Sequence, residues 1–500
     1  MRGIPSLVTD IRKGVFTEVA KMAYAGGDYS HAEDIPFIIV PGDQPRHRES
    51  VFLERAIVGE RVRLAMGLGL RPVQTRMLMT EGMDHAAVAE QYYAPPLINI
   101  IPYACHRCTE NEYRVVDCQN CLAASCHKVC PTGAVYFDHN RSHIDTEKCI
   151  RCGKCANACP YNAIIHTRRP CAASCGVNAI ASDDQGRAVI DQDRCVSCGM
   201  CLVHCPFGAI VDKGQIFQVI QSILRGDRVV AIVAPAFVGQ FGKNVTPEKF
   251  TAAMMVLGVQ KVVEGAVGAD LCTIGEAKDF LEKVPQQQDF MATSCCPAWH
   301  TMIRKLFPAQ TENISITLTP MVYTARMVKR EDPECKVVFV GPCAAKKLEA
   351  IREDIRSDVD FVLTFEELMG MFEAKEVDLS AMEEGEALTE GTAAGRGYAV
   401  SGGVAGAVAG LIQEWDPERE VKTARAEGLD SCRKLMMAAK AGKYQGYLLE
   451  GMACPGGCTG GAGTIAPIEQ ASRAVQKYAA EAEKKSPAQS PHRNRGAELE

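Results

Sequence analysis

Between Cys105 and Cys205 the sequence repeats one short phrase four times: a cysteine, two residues, then Gly or Asn, Ala and a β-branched residue. The copies are CPTGAV at Cys130, CPYNAI at Cys159, CGVNAI at Cys175 and CPFGAI at Cys205. Each copy of such a repeat must specify the same local structure, so it limits the possible folds more than composition does. Twice an Ile-Asp pair, Ile144-Asp145 and Ile190-Asp191, precedes a cysteine run by the same interval. The runs are CIRCGKCANACP (Cys149, Cys152, Cys155, Cys159) and CVSCGMCLVHCP (Cys195, Cys198, Cys201, Cys205). In this Cx2Cx2Cx3CP spacing three thiolates wrap one [4Fe–4S] cubane and the fourth reaches a neighbouring cluster. A four-ligand zinc site has no use for that crossing.

The chain has 24 cysteines, sixteen of them within 105–205, none before, and eight between 272 and 458. Tight CxxC clusters and the lack of a charged-then-apolar leader argue for metal rather than a disulfide framework. A formal net charge of −6 gives no nucleic-acid footprint. No apolar run reaches about 18 residues, so no membrane partner is expected. The expectation is a soluble, cytoplasmic protein.

Four regions follow. Residues 1–100 read as a mostly helical region of unknown role, with helix-like stretches at Val8–Ala23, Glu49–Met66 and Thr75–Tyr93 and a possible strand in PFIIVPG. Residues 101–215 hold the cysteine runs, 225–482 form a larger domain, and 483–500, charged and without aromatics, are expected to be disordered.

A third run, CQNCLAASCHKVCP (Cys118, Cys121, Cys126, Cys130), resembles the first half of dicluster ferredoxin domains. That resemblance implies one cluster on Cys118, Cys121, Cys126 and Cys159 and another on Cys149, Cys152, Cys155 and Cys130. A second pair of runs is eroded, since CAASC (Cys171, Cys175) supplies only the end of one. Either CHRC (Cys105, Cys108) completes a cluster with Cys171 and Cys205, leaving Cys195, Cys198, Cys201 and Cys175 for its neighbour, or there are three clusters and stray thiols. His106 and His127 read as exposed loop residues.

The C-terminal half alternates strand-like RVVAIVAP, CKVVFVGP and YQGYLLEG with helices, among them TPEKFTAAMMVLGV, where Thr246 is a candidate N-cap and Pro247 the first helical residue. Three strand-like segments run into cysteines: DFMATSCC, KVVFVGPC and YLLEGMACPGGC. Ligand sites in open parallel sheets gather at the carboxyl ends of strands, so Cys296, Cys343, Cys454 and Cys458 can converge on one cluster.

TSCCPAW, GPCAAKK and EGMACPGGCTGGAG are similar to the three signatures of [FeFe] hydrogenases, in that order. The resemblance implies a multidomain fold: α+β ferredoxin-like Fe–S domains followed by an α/β, two-lobed iron-hydrogenase catalytic domain. It implies an H-cluster, a [4Fe–4S] cubane joined to a two-iron unit with CO, CN and azadithiolate, besides three to four further [4Fe–4S] clusters. It also implies reversible H2 = 2 H+ + 2 e−, a ferredoxin or similar electron carrier, and maturation proteins. Cys296, Cys343 and Cys454 then look like cubane ligands and Cys458 like the bridge. Lys346 would donate to a cyanide, Met452 would pack beside the two irons, and Pro235 and Ala236 would cover a cyanide. YAVSGGV would face the cofactor. Cys295 would pass protons, a role suited to a thiol titrating near 8.5, and the relay would continue through Glu276, Ser315 and Asp279.

Three positions depart from better-known members: Asp279 stands for Glu, Lys283 for Arg, and Gly341 for Met. The shorter acid leaves a gap for water, and the missing Met removes cover from the two-iron site. Lys346 and Lys347 could instead be a solvated helix start, and Glu276 and Asp279 surface acids. Cys272, Cys335 and Cys432 match no signature and read as buried structural thiols. The alternatives to an enzyme are an H2 sensor and a non-catalytic hydrogenase-like iron–sulfur assembly protein.

Overall fold

The computed structural model describes residues 6–27, 29–86, 94–105, 108 and 111–499. Its N-terminal part is helical. Ser6 and Ser50 accept backbone N–H groups from Thr9 and Leu53 and so start the helices Leu7–Ala25 and Val51–Ala65. PFIIVPG, expected to hold a strand, forms the short helix Ile35–Ile39 instead. Its Pro36 sits in the first turn, where a missing N–H costs nothing. The expected third helix appears only as Met83–Ala86, and 87–93 lie outside the described residues, as does His106.

Two small antiparallel units follow. The strands are β1 (Ile98–Ile100), β2 (Glu112–Val115), β3 (Val135–Asp138), β4 (Arg141–Ile144), β5 (Ile164–Thr167), β6 (Ile180–Ser182), β7 (Ala188–Ile190) and β8 (Ile210–Asp212). In one unit β2 pairs with β5 around the β3–β4 hairpin, and in the other β1 pairs with β8 around β6–β7. The first unit is therefore inserted into the second, between Cys108 and Cys171. That insertion explains the eroded run: Cys105, Cys108, Cys171 and Cys175 are one run interrupted by a whole unit.

The phrase that repeats in the sequence is one turn used four times. Its fourth residue, Gly133, Asn162, Asn178 or Gly208, has φ between 52 and 64°, where Gly and Asn are best tolerated. The turn aims the N–H of the following Ala at the sulfur four residues back, at 3.4 Å for Ala163 on Cys159, 3.2 Å for Ala179 on Cys175 and 3.3 Å for Ala209 on Cys205.

The C-terminal domain holds two parallel sheets. One has the order β10 (Lys261–Glu264), β9 (Val229–Val233), β12 (Lys336–Gly341), β13 (Phe361–Thr364); the other β11 (Phe290–Ala292), β15 (Tyr447–Met452), β14 (Lys422–Glu427). The strands of the first sheet are buried along their lengths and read as continuous apolar runs, as parallel strands covered on both faces do. Thr246 caps the helix Pro247–Val256 through Lys249.

The expectation of a disordered tail at 483–500 fails. Ser490 and Leu499 are buried, the Ala393 and Ala394 N–H groups donate to the carbonyls of Lys484 and Lys485 at 2.8 and 3.2 Å, and Arg326 donates to the Leu499 carbonyl at 2.7 Å. Low aromatic content did not matter, because backbone and arginine hydrogen bonds hold this segment. No described helix is long and apolar enough to cross a membrane.

Candidate functional site

The carboxyl ends of strands from both sheets face one apolar cleft of about 100 Å³. Cys295 and Cys296 follow β11, Cys343 follows β12, Cys454 and Cys458 follow β15, and Pro235 follows β9; all line this cleft, with Lys346, Tyr398 and Met452. Ala236 is fully buried next to Pro235. Burial, reinforced by Cys343 and Cys296, pushes the Cys458 thiol up to about 12, and burial and Cys296 push Cys343 to about 11. Crowded buried thiols of this kind ionise when a metal takes them. Among the described residues no three His, Cys, Asp or Glu side chains close on a point as they would around one metal ion. A cubane takes each thiolate at a separate iron, so spaced sulfurs from three loops suit a cluster better.

Lys346 and Lys347 are buried, which overturns the solvated-helix alternative. Lys346 Nζ donates to Thr319 Oγ1 at 3.1 Å and Glu349 at 2.6 Å, and among the described residues its third N–H is uncommitted. Burial lowers its pKa, but Glu349, Cys343 and Cys295 outweigh that and keep it charged. Lys347 points the other way, to Asp212 at 2.8 Å and Glu367 at 3.0 Å, tying β8 to the helix Phe365–Ala374.

Glu276 is fully buried on the helix Ala266–Lys283, not a surface acid. Its Oε1 accepts from Ser294, while Oε2 has no partner among the described residues. Burial, with Asp279 and Glu450 adding to it, pushes the carboxyl up to about 7. An ordinary thiol was expected at Cys295; burial, then Glu276, Cys272 and Cys296, push it well above its usual value, so it stays protonated. Outward, Ser315 Oγ accepts the Thr317 N–H at 3.2 Å, and the Thr317 hydroxyl approaches Asp279 at 3.5 Å. Asp279 pairs with Lys283 at 3.1 Å. Thr317 thus spans the gap left by the shorter acid.

Cys335 and Cys432 are buried as expected, but Cys272 is more than core filler. Its thiol faces the Ser294 and Tyr398 side chains, one helical turn before Glu276. The i, i+4 spacing of Cys272 and Glu276 was the available signal. Phe339 also went unread: a Cβ on Gly341 would meet its ring at 2.6 Å, so Phe339 fills the space next to Gly341.

The remaining cysteines come together in three sets of four, with Cys118 and Cys126 near each other beside Ser142. Cys130, Cys149, Cys152 and Cys155 line one small cavity. Ser142 meets both Cys118, through its N–H at 3.3 Å, and Cys126, at 3.8 Å, while Cys121 lies between them in sequence and Cys159 ends the other run. Burial raises the Cys171 thiol to about 12, with Cys205, Cys105 and Cys108 contributing, so those four face one another. Burial likewise raises Cys198 to about 12, with Cys175, Cys195 and Cys343 around it, and Cys201 feels the same neighbours. The insertion of one unit into the other therefore brings Cys105 and Cys108 to Cys171 and Cys205. Cys198 also lines the main cleft. Gly199 permits this approach, since a Cβ there would stand 2.5 Å from Ala462. His127 is exposed, as expected.

Comparison with known proteins agrees with this geometry. Residues 227–462 match the family described as iron only hydrogenase large subunit, C-terminal domain, and residues 142–165 and 188–211 match the 4Fe-4S binding domain. The chain is similar to Iron hydrogenase 1 of Clostridium pasteurianum, 28% identical over 371 residues and covering 64% of each chain. It is similar to the Periplasmic [Fe] hydrogenase large subunit of Nitratidesulfovibrio vulgaris, 27% identical over 44% of this chain and 63% of the relative. It is also similar to the Cytosolic Fe-S cluster assembly factor NAR1 of Kluyveromyces lactis, 28% identical over 30% of this chain and 34% of the relative. The chain thus spans less than two thirds of the length of these relatives. The fold is one of ferredoxin-like 4Fe–4S motifs joined to an iron-hydrogenase domain.

Proposed function

We propose, from an iron-hydrogenase domain fold joined to 4Fe–4S motifs, that the chain is an [FeFe] hydrogenase catalysing H2 = 2 H+ + 2 e−. The observation that carries this reading is the meeting of Cys296, Cys343, Cys454 and Cys458 in one apolar cleft that also presents Cys295 and Lys346. Those four sulfurs would hold an H-cluster. When bound, that cofactor supplies the metal centre at which H2 is formed or split.

The chain's own residues do the rest. Lys346 offers one N–H to an anionic ligand while Glu349 and Thr319 fix its direction. Pro235, Phe339 and Met452 keep water from the cleft. Cys295 holds a proton at its sulfur and exchanges it with the free Oε2 of Glu276, whose pKa near 7 suits both directions. Ser315, Thr317 and Asp279 carry it toward the surface. The cysteine set containing Cys198 and the three sets beyond it would hold [4Fe–4S] clusters, which when bound would supply one-electron carriers between the cleft and the surface. A small one-electron carrier such as a ferredoxin would meet the outer unit, where Cys152 is exposed, and maturation proteins would supply the two-iron unit.

Infrared spectroscopy of anaerobically matured protein tests the reading, followed by H2 assay with reduced viologen. Metal-bound CO and cyanide bands with turnover are expected. Bands with turnover orders of magnitude slower would mark a sensor. Absence of both, with 4Fe–4S clusters present, would favour an iron–sulfur assembly role like that named for the yeast relative.

A further inference from the structure

Two buried arginines flank one of the four-cysteine sets, and among the described residues neither meets a carboxylate. Arg61, on the helix Val51–Ala65, is 4% exposed. Its Nη2 donates to the Gly208 carbonyl, in the turn that holds Cys205, and its Nε has no partner among the described residues. Arg169 is also 4% exposed; its Nη2 donates to the Gly186 carbonyl and its Nη1 has no partner.

Other buried arginines are compensated. Arg12 meets Glu366 and Asp212, Arg396 meets Glu264 at 2.6 Å, and Arg63 gives its N–H groups to the carbonyls of Gly69, Leu78, Met79 and Glu81. A buried guanidinium without a counter-ion is costly, so something negative belongs beside Arg61 and Arg169. The groups they act on are thiols. Arg61 reaches the carbonyl of the Cys205 turn and feels Cys205 after Arg12, and Arg169, two residues before Cys171, acts on Cys108. At the neighbouring set, Arg194 donates to the Val177 carbonyl in the Cys175 turn and Lys305 stands near Cys195, but both are exposed, where water screens their charge.

We infer that Arg61 and Arg169 are the countercharges of a [4Fe–4S] cluster held by Cys105, Cys108, Cys171 and Cys205, and that they make it the most readily reduced cluster of the ferredoxin-like region. The inference rests on the cluster reading given under Proposed function. Four thiolates leave a cubane with net negative charge. Reduction adds one electron from a neighbouring cluster and makes or breaks no bond. Each nearby cation in this low-dielectric interior therefore favours the reduced form. This set adjoins the one that reaches the main cleft, because Cys171 acts on Cys201. It would store an electron one step behind the cluster that serves the catalytic cleft. The inference also gives the N-terminal helical region a role, since it delivers Arg61.

The test is an EPR-monitored redox titration of the anaerobically matured full chain. Cys171→Ser identifies the cluster by the signal it removes. In the wild type that signal should appear at the highest potential among the ferredoxin-like clusters; appearance at the lowest would overturn the inference. Arg61→Met and Arg169→Met should each lower its reduced-to-oxidised ratio at fixed potential about tenfold, a shift of about 59 mV for one electron. The Lys counterparts should retain most of the wild-type ratio. A retained signal with an unmoved midpoint in the Met variants would overturn the electrostatic role. Should Arg61→Met not fold, Arg169→Met and the wild-type order still decide the matter. If Cys171→Ser removes no signal, the cluster assignment itself falls, and the inference falls with it for that separate reason.

Discussion

Ser294 donates twice to one oxygen of Glu276, through its backbone N–H at 2.7 Å and its hydroxyl at 3.0 Å. The two hydrogen bonds fix Oε1 and leave Oε2 buried and without a partner among the described residues, where the proposed relay would take up a proton. Ser294 directly precedes Cys295, so the loop that presents the thiol also aims the carboxyl.

Glu276→Gln is expected to reduce turnover at least about a hundredfold, since an amide cannot accept and release a proton. Its effect on stability has the opposite sign. Glu276 titrates near 4.5 when unfolded and near 7 when folded. Between those values the folded state holds a proton the unfolded state has lost, so stability falls as pH rises and the loss is complete above about 7. The variant escapes this, and its melting temperature relative to wild type should climb from pH 5 to pH 8. A constant difference across that range would remove the buried-acid account.

Cys295→Ala should leave the infrared bands of the matured protein in place and lower H2 evolution by a factor of about 10² or more. Because the thiol is held protonated, the pH profile of the wild type should inflect near the Glu276 value and not at a thiol value. Activity within a fewfold of wild type would take Cys295 out of the proton path.

Lys347→Met strips the cation from two buried carboxylates, Asp212 and Glu367. Breaking such a buried pair costs about 3–5 kcal/mol. Thermal unfolding should show a large loss, with β8 and the helix Phe365–Ala374 losing hydrogen-exchange protection first. A stability equal to wild type would mean that the tie between the two regions is not Lys347.

Gly341→Met places a side chain where the Phe339 ring already stands. Overpacking there should cost about 1–3 kcal/mol. Combined with Phe339→Ala, the same substitution should cost markedly less than the sum of the single changes, measured by denaturant unfolding of all four proteins. Strict additivity would show that the two positions do not share that space.

The cysteines were legible because metal ligation demands a residue type at a fixed spacing, and because the turns that carry them are local. The helix Pro247–Val256 and the strands β9, β12 and β15 were legible for the same reason: cap, proline and apolar run act within a few residues. PFIIVPG misled because a short apolar run between prolines has no periodicity to separate strand from helix. The tail misled because its order comes from partners such as Arg326 and Ala393, far away in sequence.

The sequence by itself determined which cysteines share cluster-type spacing and which three segments end at the apolar cleft. Only the tertiary structure decided that one ferredoxin-like unit is inserted in the other, that Lys347 ties Asp212 to Glu367, and that Arg61 and Arg169 are buried with no acid beside them among the described residues. Spacing along a chain encodes contacts a few residues apart. What a buried charge such as Arg61 or Lys347 meets is set by elements distant in sequence, Gly208 and Asp212 in these cases, and those meet only when the core closes.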